Sequence, residues 1–171
     1  MKLKFQSDLT YQRQAIDSVV DIFKGQTVKQ SEFTVSYGED AGMIQTGLGI
    51  GNFLELNENE ILKNVQEIQA RNGLPRSEFL DGMNFTVEME TGTGKTYVYL
   101  RTIYELNQKY GFTKFVVVVP SVAIREGVYK SLQITEEHFN ELYNNQPLEY
   151  FIYDSEKLDR VRNFATATTI Q

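Results

Sequence analysis

Residues 85–96 read Phe-Thr-Val-Glu-Met-Glu-Thr-Gly-Thr-Gly-Lys-Thr, and this stretch decides the fold. A short apolar strand, Phe85-Thr86-Val87, runs into a glycine-rich turn. A helix from Thr96 to Tyr110 follows and stops at Gly111. Phosphate oxygens need several donors converging on a small volume. Successive backbone N–H groups in a tight turn supply them, and the next helix N-terminus adds its dipole. Gly92 and Gly94 permit the positive dihedrals and close approach that such a turn needs. Glu90, Thr91, Gly92, Thr93, Gly94, Lys95 and Thr96 therefore form the candidate nucleotide-binding loop. Lys95 is placed to reach the β- and γ-phosphates, and the Thr96 hydroxyl to hold Mg²⁺. These two are the candidate catalytic residues, and a nucleotide with Mg²⁺ is the expected ligand pair. The fuller pattern, Gly-x4-Gly-Lys-[Ser/Thr], places its first glycine at position 89, where this chain has Met89.

Downstream, Lys114 to Val119 is a run rich in β-branched residues, ended by Pro120. Such a run suits a strand buried on both faces of a parallel sheet. Ser121 can cap a helix to about Leu132, and Thr135 a second one through Asn144. Tyr150 to Tyr153 is a third strand candidate, Ser155 to Asn163 a short helix, and Thr168 to Gln171 the entry to another strand. Upstream, Ala15, Ile16, Val19, Val20 and Phe23 recur at helical spacing between Thr10 and Lys24, and Gly25 follows. Residues 26–53 hold a strand-like patch, Glu32 to Ser36, and then Gly38, Gly42, Gly47, Gly49 and Gly51. They read as a loop-rich insertion. Asn57 and Glu60 have capping-box spacing ahead of a helix with Ile61, Leu62, Val65 and Ile68 on one face. Gly73 and Pro75 close it. The alternation of strands and helices predicts a three-layer α/β P-loop NTPase lobe with a mostly parallel sheet.

Composition narrows the function. The 171 residues contain no Cys and one His, which excludes disulfides, thiolate zinc sites, a Cys nucleophile and a multi-histidine metal site. The start, MKLKFQSDLT, lacks the apolar core of a signal peptide, and the longest apolar run, Phe115 to Val119, is far too short to span a membrane. A soluble, cytoplasmic protein is expected. Net charge is -6. Residues 1–81 carry 8 basic and 12 acidic groups, and residues 82–171 carry 9 and 11, so neither half grips DNA by bulk charge. Any DNA contact has to be local or shared with a partner.

Two further segments resemble motifs of the superfamily 2 helicases and restriction translocases. Leu9-Thr10-Tyr11-Gln12-Arg13-Gln14-Ala15-Ile16 is similar to the Q motif, whose Gln reads the adenine edge. An amide suits that task because it offers a donor and an acceptor together. Gln12 holds that position. On the residues alone, Gln12 reads first as the solvated face of an amphipathic helix, and its pairing with the glycine loop is what favours the adenine role. Val116 to Gly127, with Val119-Pro120-Ser121, resembles motif Ia, where the following helix touches the backbone of the tracked strand. Ser121 and Arg125 are the DNA-contact candidates that this implies, and a helix N-terminus is itself a phosphate site.

Met89 to Thr96, Val119 to Gly127 and the 83 positions between Gln12 and Lys95 resemble most closely the Res subunit of type III restriction enzymes. The resemblance implies an ATP-dependent translocase on double-stranded DNA with a nuclease domain further along, working with a modification methyltransferase subunit. Residues 1–171 then form the N-terminal part of the first RecA-like lobe, with an insertion at about 26–81. The adjacent Asp-Glu pair of motif II is absent. Asp154 and Glu156, after the apolar run Tyr150 to Tyr153, are the nearest local substitute. A second lobe with its arginine fingers is also absent, so this chain alone is expected to bind nucleotide weakly and hydrolyse it negligibly. Two other readings compete. One is a nucleotide-binding interaction module without catalysis. The other is a different P-loop enzyme such as a small kinase, which Met89 and the Q motif disfavour.

Overall fold

The computed structural model describes residues 5–40 and 43–171. Helix α1 (Thr10–Val20) runs into a 3₁₀ turn, Asp21–Phe23. A hairpin of β1 (Gln30–Asp40) and β2 (Met43–Asn52) precedes α2 (Glu58–Arg71). Then come α3 (Lys95–Tyr110), α4 (Val122–Leu142) and α5 (Leu158–Thr166).

Helix α3 is the axis of the core. Nine of its residues are buried, from Tyr97 to Tyr110. One side carries Val98, Leu106 and Tyr110, which pack on Ile16 and Val20 of α1 and on Phe112. Another carries Tyr97, Leu100, Ile103 and Tyr104, which meet Phe139 of α4, Tyr143 just past its end, and Ile170. Tyr104 stacks on Tyr143 with ring centroids 4.8 Å apart and planes 11° apart. Aromatic burial of this kind contributes apolar area and ring–ring attraction together. It also pushes the Tyr104 phenol up to about 12, chiefly by desolvation and then by the nearby Glu136 carboxylate.

The helix signals act as their chemistry dictates. Asn57 and Glu60 form a reciprocal capping box at the start of α2. Gly111 ends α3 in the left-handed region, φ 71°. Inside α2, the buried Asn64 amide donates to the Ile22 and Lys24 carbonyls at 3.0 and 2.8 Å, tying α2 to the turn after α1.

Four expectations need correction. Residues 26–53 are no loop-rich excursion. Within them Gln30–Asp40 and Met43–Asn52 pair as a long antiparallel hairpin, with Phe33 opposite Gly49 and Glu32 opposite Ile50. Of the glycines that suggested a loop, Gly38 lies on β1, Gly47, Gly49 and Gly51 alternate along β2, and the Phe33 ring lies across Gly49 and Gly51. A Cβ at Gly49 would stand 2.4 Å from that ring. Gly42, part of the same expectation, lies outside the described residues. The two helices expected at Ser121 and Thr135 are one continuous α4. Ser121 caps it, but the Thr135 hydroxyl bonds back to the Ser131 carbonyl at 2.7 Å, which lets Thr sit inside a helix. The short helix after Tyr153 begins at Leu158 rather than Ser155, because Asp154 and Lys157 close a turn first.

The fourth concerns three expected strands, which the described residues do not show paired. The paired strands among the described residues are the two antiparallel strands of the hairpin. Phe85–Val87, Lys114–Val119 and Tyr150–Tyr153 are not paired as strands. Parallel order among the described residues is confined to the base, where Ile170 bridges Leu148 and Gln171 exchanges backbone bonds with Thr113 and Phe115. An extended segment becomes a strand only when a neighbour answers its N–H and C=O groups. Without that neighbour, Val116 and Val118 stand 78% and 87% exposed.

Two stability outcomes follow. Leu100 is 1% exposed, so Leu100→Ala should lower the unfolding free energy by about 2–5 kcal/mol in urea titration. His138 packs against Phe5 and accepts or donates a 3.0 Å hydrogen bond with the Tyr97 hydroxyl. Burial, and next the Arg101 guanidinium, lower its pKa, against a smaller opposite pull from Glu141. The unfolded chain then binds the proton more readily, so stability declines as pH falls below the unfolded value of about 6.5 towards the lower folded one. His138→Gln should flatten that part of a melting-temperature profile; an unchanged slope would contradict it.

Candidate nucleotide site

The glycine loop sits at the N-terminus of α3. Gly92 and Gly94 have φ values of 82° and 84°, the left-handed conformations their sequence positions called for. Gly94 is the residue that caps α3, so Lys95 and Thr96 open its first turn. The Thr93 hydroxyl donates to the Glu90 carbonyl at 2.7 Å and closes the loop on itself. Glu90, Thr91, Gly92 and Lys95 are exposed, while Thr93, Gly94 and Thr96 are half-buried. The first N–H groups of a helix have no partner within it, so this end of α3 offers donors together with the positive end of the helix dipole. Lys95 folds back over the loop. Its ammonium donates to the Met89 and Glu90 carbonyls at 2.9 and 2.8 Å.

Gln12 does not lie on a solvated face. It is 7% exposed on α1, and its amide nitrogen donates to the Thr93 carbonyl at 2.9 Å across 81 positions of sequence. The approach is close enough that a Cβ on Gly94 would stand 2.6 Å from that nitrogen. The packing of α1 on α3 thus brings together two motifs that the sequence could relate only by family resemblance.

A polar network with no counterpart among the sequence expectations backs this junction. Glu105 is salt-bridged to Arg13 at 3.1 Å and accepts from the Tyr143 hydroxyl at 2.8 Å. Arg101 Nε donates to the same hydroxyl at 3.1 Å, and its guanidinium also donates to the Ser7 carbonyl. Burial and the bond to Glu105 raise the Tyr143 pKa, so the phenol keeps the proton it donates. The signal was present in the four-residue spacing of Arg101 and Glu105, which puts them on one helix face.

The remaining candidates are bonded within their own segments. Ser121 caps α4 by accepting from the Ile124 N–H at 3.3 Å. Arg125 is paired with its neighbour Glu126 at 3.0 Å. Asp154 accepts from the Glu156 N–H at 3.1 Å and pairs with Lys157 at 2.9 Å. That bond to Lys157 is the main cause of its lowered pKa. Its carboxylate is spent on its own turn. No group of three or more His, Cys, Asp or Glu able to hold a metal occurs among the described residues.

A glycine-rich loop opening a buried helix, with Lys and Thr at its first two positions, is the build of the P-loop class of folds. Residues 7–171 match the family described as "Type III restriction enzyme, res subunit", and the chain belongs to that family. It is 32% identical over 163 residues to the EcoPI Res subunit of Escherichia phage P1, covering 90% of this chain and 15% of that protein. It is 30% identical over 159 residues to the EcoP15I Res subunit of Escherichia coli, covering 89% of this chain and 15% of that one. The StyLTI Res subunit of Salmonella typhimurium shares 49% over 80 residues, 46% of this chain and 8% of its own length. The chain thus spans about 15% of the first two relatives. Among the described residues, no helix is long and apolar enough to cross a membrane.

The Gln12 contact has its own test. Gly92→Ala and Gly94→Ala both force a left-handed Ala, at about 1–2 kcal/mol each. Only Gly94→Ala also pushes on Gln12, since nothing lies within 4 Å of a Cβ at Gly92. Gly94→Ala should therefore destabilise more, and adding Gln12→Ala should erase the difference in chemical denaturation.

Proposed function

We propose that this chain is the ATP-binding part of an ATP-dependent DNA translocase, within a type III restriction endonuclease. The observation that carries the reading is the junction of Gln12 with the loop at Thr93 and Gly94. An adenine-reading amide and a phosphate loop must lie within one nucleotide's reach to serve one ligand. The loop also fits the phosphate group physically. Gly92 and Gly94 leave its face without side chains, and a lysine ammonium already rests against it. In this reading Gln12 selects adenine, and the backbone from Glu90 to Thr96 cradles the phosphates. Lys95 leaves the Met89 and Glu90 carbonyls for the β- and γ-phosphates, and Thr96 is the protein's ligand for Mg²⁺. Bound Mg²⁺ would neutralise charge on the transferred phosphoryl group. Ser121 and Arg125 take the DNA backbone, the latter on release from Glu126. The partners are double-stranded DNA and a modification methyltransferase subunit, and the setting is the cytoplasm.

Residues 1–171 would be the N-terminal part of the first RecA-like lobe, built on a mostly parallel sheet, with the segment at about 26–81 inserted into it. Hydrolysis needs an acidic motif and arginines from outside these residues, because Asp154 is committed to its own turn. That commitment is also what favours the second reading, an interaction module that binds nucleotide without turning it over.

Equilibrium titration with fluorescent ATP and GTP analogues tests both readings. The chain should bind the adenine nucleotide preferentially and turn it over negligibly. Lys95→Ala should weaken binding at least tenfold, and Gln12→Ala should remove the preference for adenine. Equal affinity for both bases in the unaltered chain would overturn the role of Gln12. Steady turnover abolished by Lys95→Ala would overturn the need for outside residues.

A further inference from the structure

Two buried side-chain polar atoms among the described residues complete no hydrogen bond, the hydroxyls of Tyr99 and Thr113. Thr113 lies past the end of α3 that is far from the glycine loop, whereas Tyr99 stands one turn beyond Thr96. The Tyr99 ring packs against the core cluster that holds Leu100, Ile103, Phe139 and Ile170. Apolar contact accounts for that ring, and a Phe would serve it equally. The hydroxyl is a different matter, because a buried polar atom without a partner is costly. Residues three apart share a helix face, and a helical side chain leans back over the turn before it. Tyr99 therefore leans towards Thr96. Burial pushes the Tyr99 pKa up, and the Thr96 hydroxyl beside it pulls the other way. A helical Thr has two accessible χ1 rotamers, so its own backbone does not fix which way that hydroxyl faces.

We propose that Tyr99 is the positioning residue for Thr96: its phenol oxygen accepts the Thr96 hydroxyl proton when the loop is loaded, and so turns the Thr96 lone pairs towards Mg²⁺. This role rests on Thr96 being the protein's ligand for Mg²⁺. A hydroxyl carries one proton and two lone pairs. Left to rotate, its proton can face the site and oppose a cation there. Held by Tyr99, the proton points at the phenol instead, and the oxygen gains negative character from the bond it donates. Thr96 is half-buried and the Tyr99 hydroxyl fully so, which keeps water from competing for the bond. Tyr99 acts only through Thr96, unlike Lys95, whose ammonium already rests on the loop.

Tyr99→Phe keeps the ring and removes the hydroxyl. The affinity for a fluorescent ATP analogue, measured with Mg²⁺ and with EDTA, tests the role in the unaltered chain, Tyr99→Phe, Thr96→Ala and the double variant. Loss of one hydrogen bond should weaken binding by Tyr99→Phe about two- to tenfold with Mg²⁺ and leave it unchanged with EDTA. In the Thr96→Ala background the same substitution should have no effect, because the hydroxyl it positions is gone. In urea titration Tyr99→Phe should be no less stable than the unaltered chain, since its hydroxyl has no partner to lose. Equal weakening with and without Mg²⁺, weakening that persists in the Thr96→Ala background, full affinity in Tyr99→Phe, or a loss of stability would each overturn the role of Tyr99 and leave the loop reading standing. An unaltered chain that binds no nucleotide, or binds it no better with Mg²⁺, would overturn the reading of the loop or of Thr96, and the role of Tyr99 with it.

Discussion

Helix α3 is buried along most of its length, and its first residue is Lys95. That single constraint ties the site to the core. The side chains that hold α3 between α1 and α4 also fix where its N-terminal N–H groups point. Packing against α1 then sets Gln12 at the loop without any covalent or sequential proximity. The polar strut of Arg13, Glu105, Tyr143 and Arg101 adds direction to what is otherwise shape-filling contact. A hydrogen-bonded charge in a half-buried site resists sliding more than apolar packing does. The loop from Glu90 to Gly92 is exposed, yet it leads into α3, nine of whose residues are buried.

Helices and extended segments divided sharply in how well sequence reported them. A helix answers its own backbone groups, so local signals suffice. Asn57 with Glu60, Gly111 and Ser121 each ended or began a helix where their chemistry placed it. Thr135 misled because a hydroxyl that can cap a helix can also bond back within one. Extended segments need a neighbour. Lys114–Val119 has the composition of a central strand, but composition cannot supply the partner that pairs it. The hairpin was missed for the opposite reason. Its glycines looked like breakers, whereas their two-residue alternation left room for the Phe33 ring across the pair. Asn52 then anchors the hairpin's foot, accepting from the Thr113 and Lys114 N–H groups and donating to the Lys114 carbonyl.

At the site, the loop itself was legible because glycine dihedrals and helix starts are local matters. The Gln12 contact was legible only as a resemblance, since it closes over 81 positions of chain. The strut was not read at all. Arg101 and Glu105 share a helix face by spacing, but their partners Arg13 and Tyr143 come from α1 and from the residue just past α4. The family match places the fold in a lineage of restriction subunits, and 15% coverage of the relatives marks how much of their chemistry lies beyond these residues.

Every functional step proposed for this chain depends on nucleotide phosphates binding the loop from Glu90 to Thr96. Amide chemical shifts of the labelled chain, followed through a titration with ATP and Mg²⁺, read that binding residue by residue. The largest shifts should fall on Gly92, Gly94, Lys95 and Thr96, with the Gln12 side-chain amide moving alongside. Shifts concentrated elsewhere, with these five signals unmoved at saturation, would contradict a phosphate site at the loop.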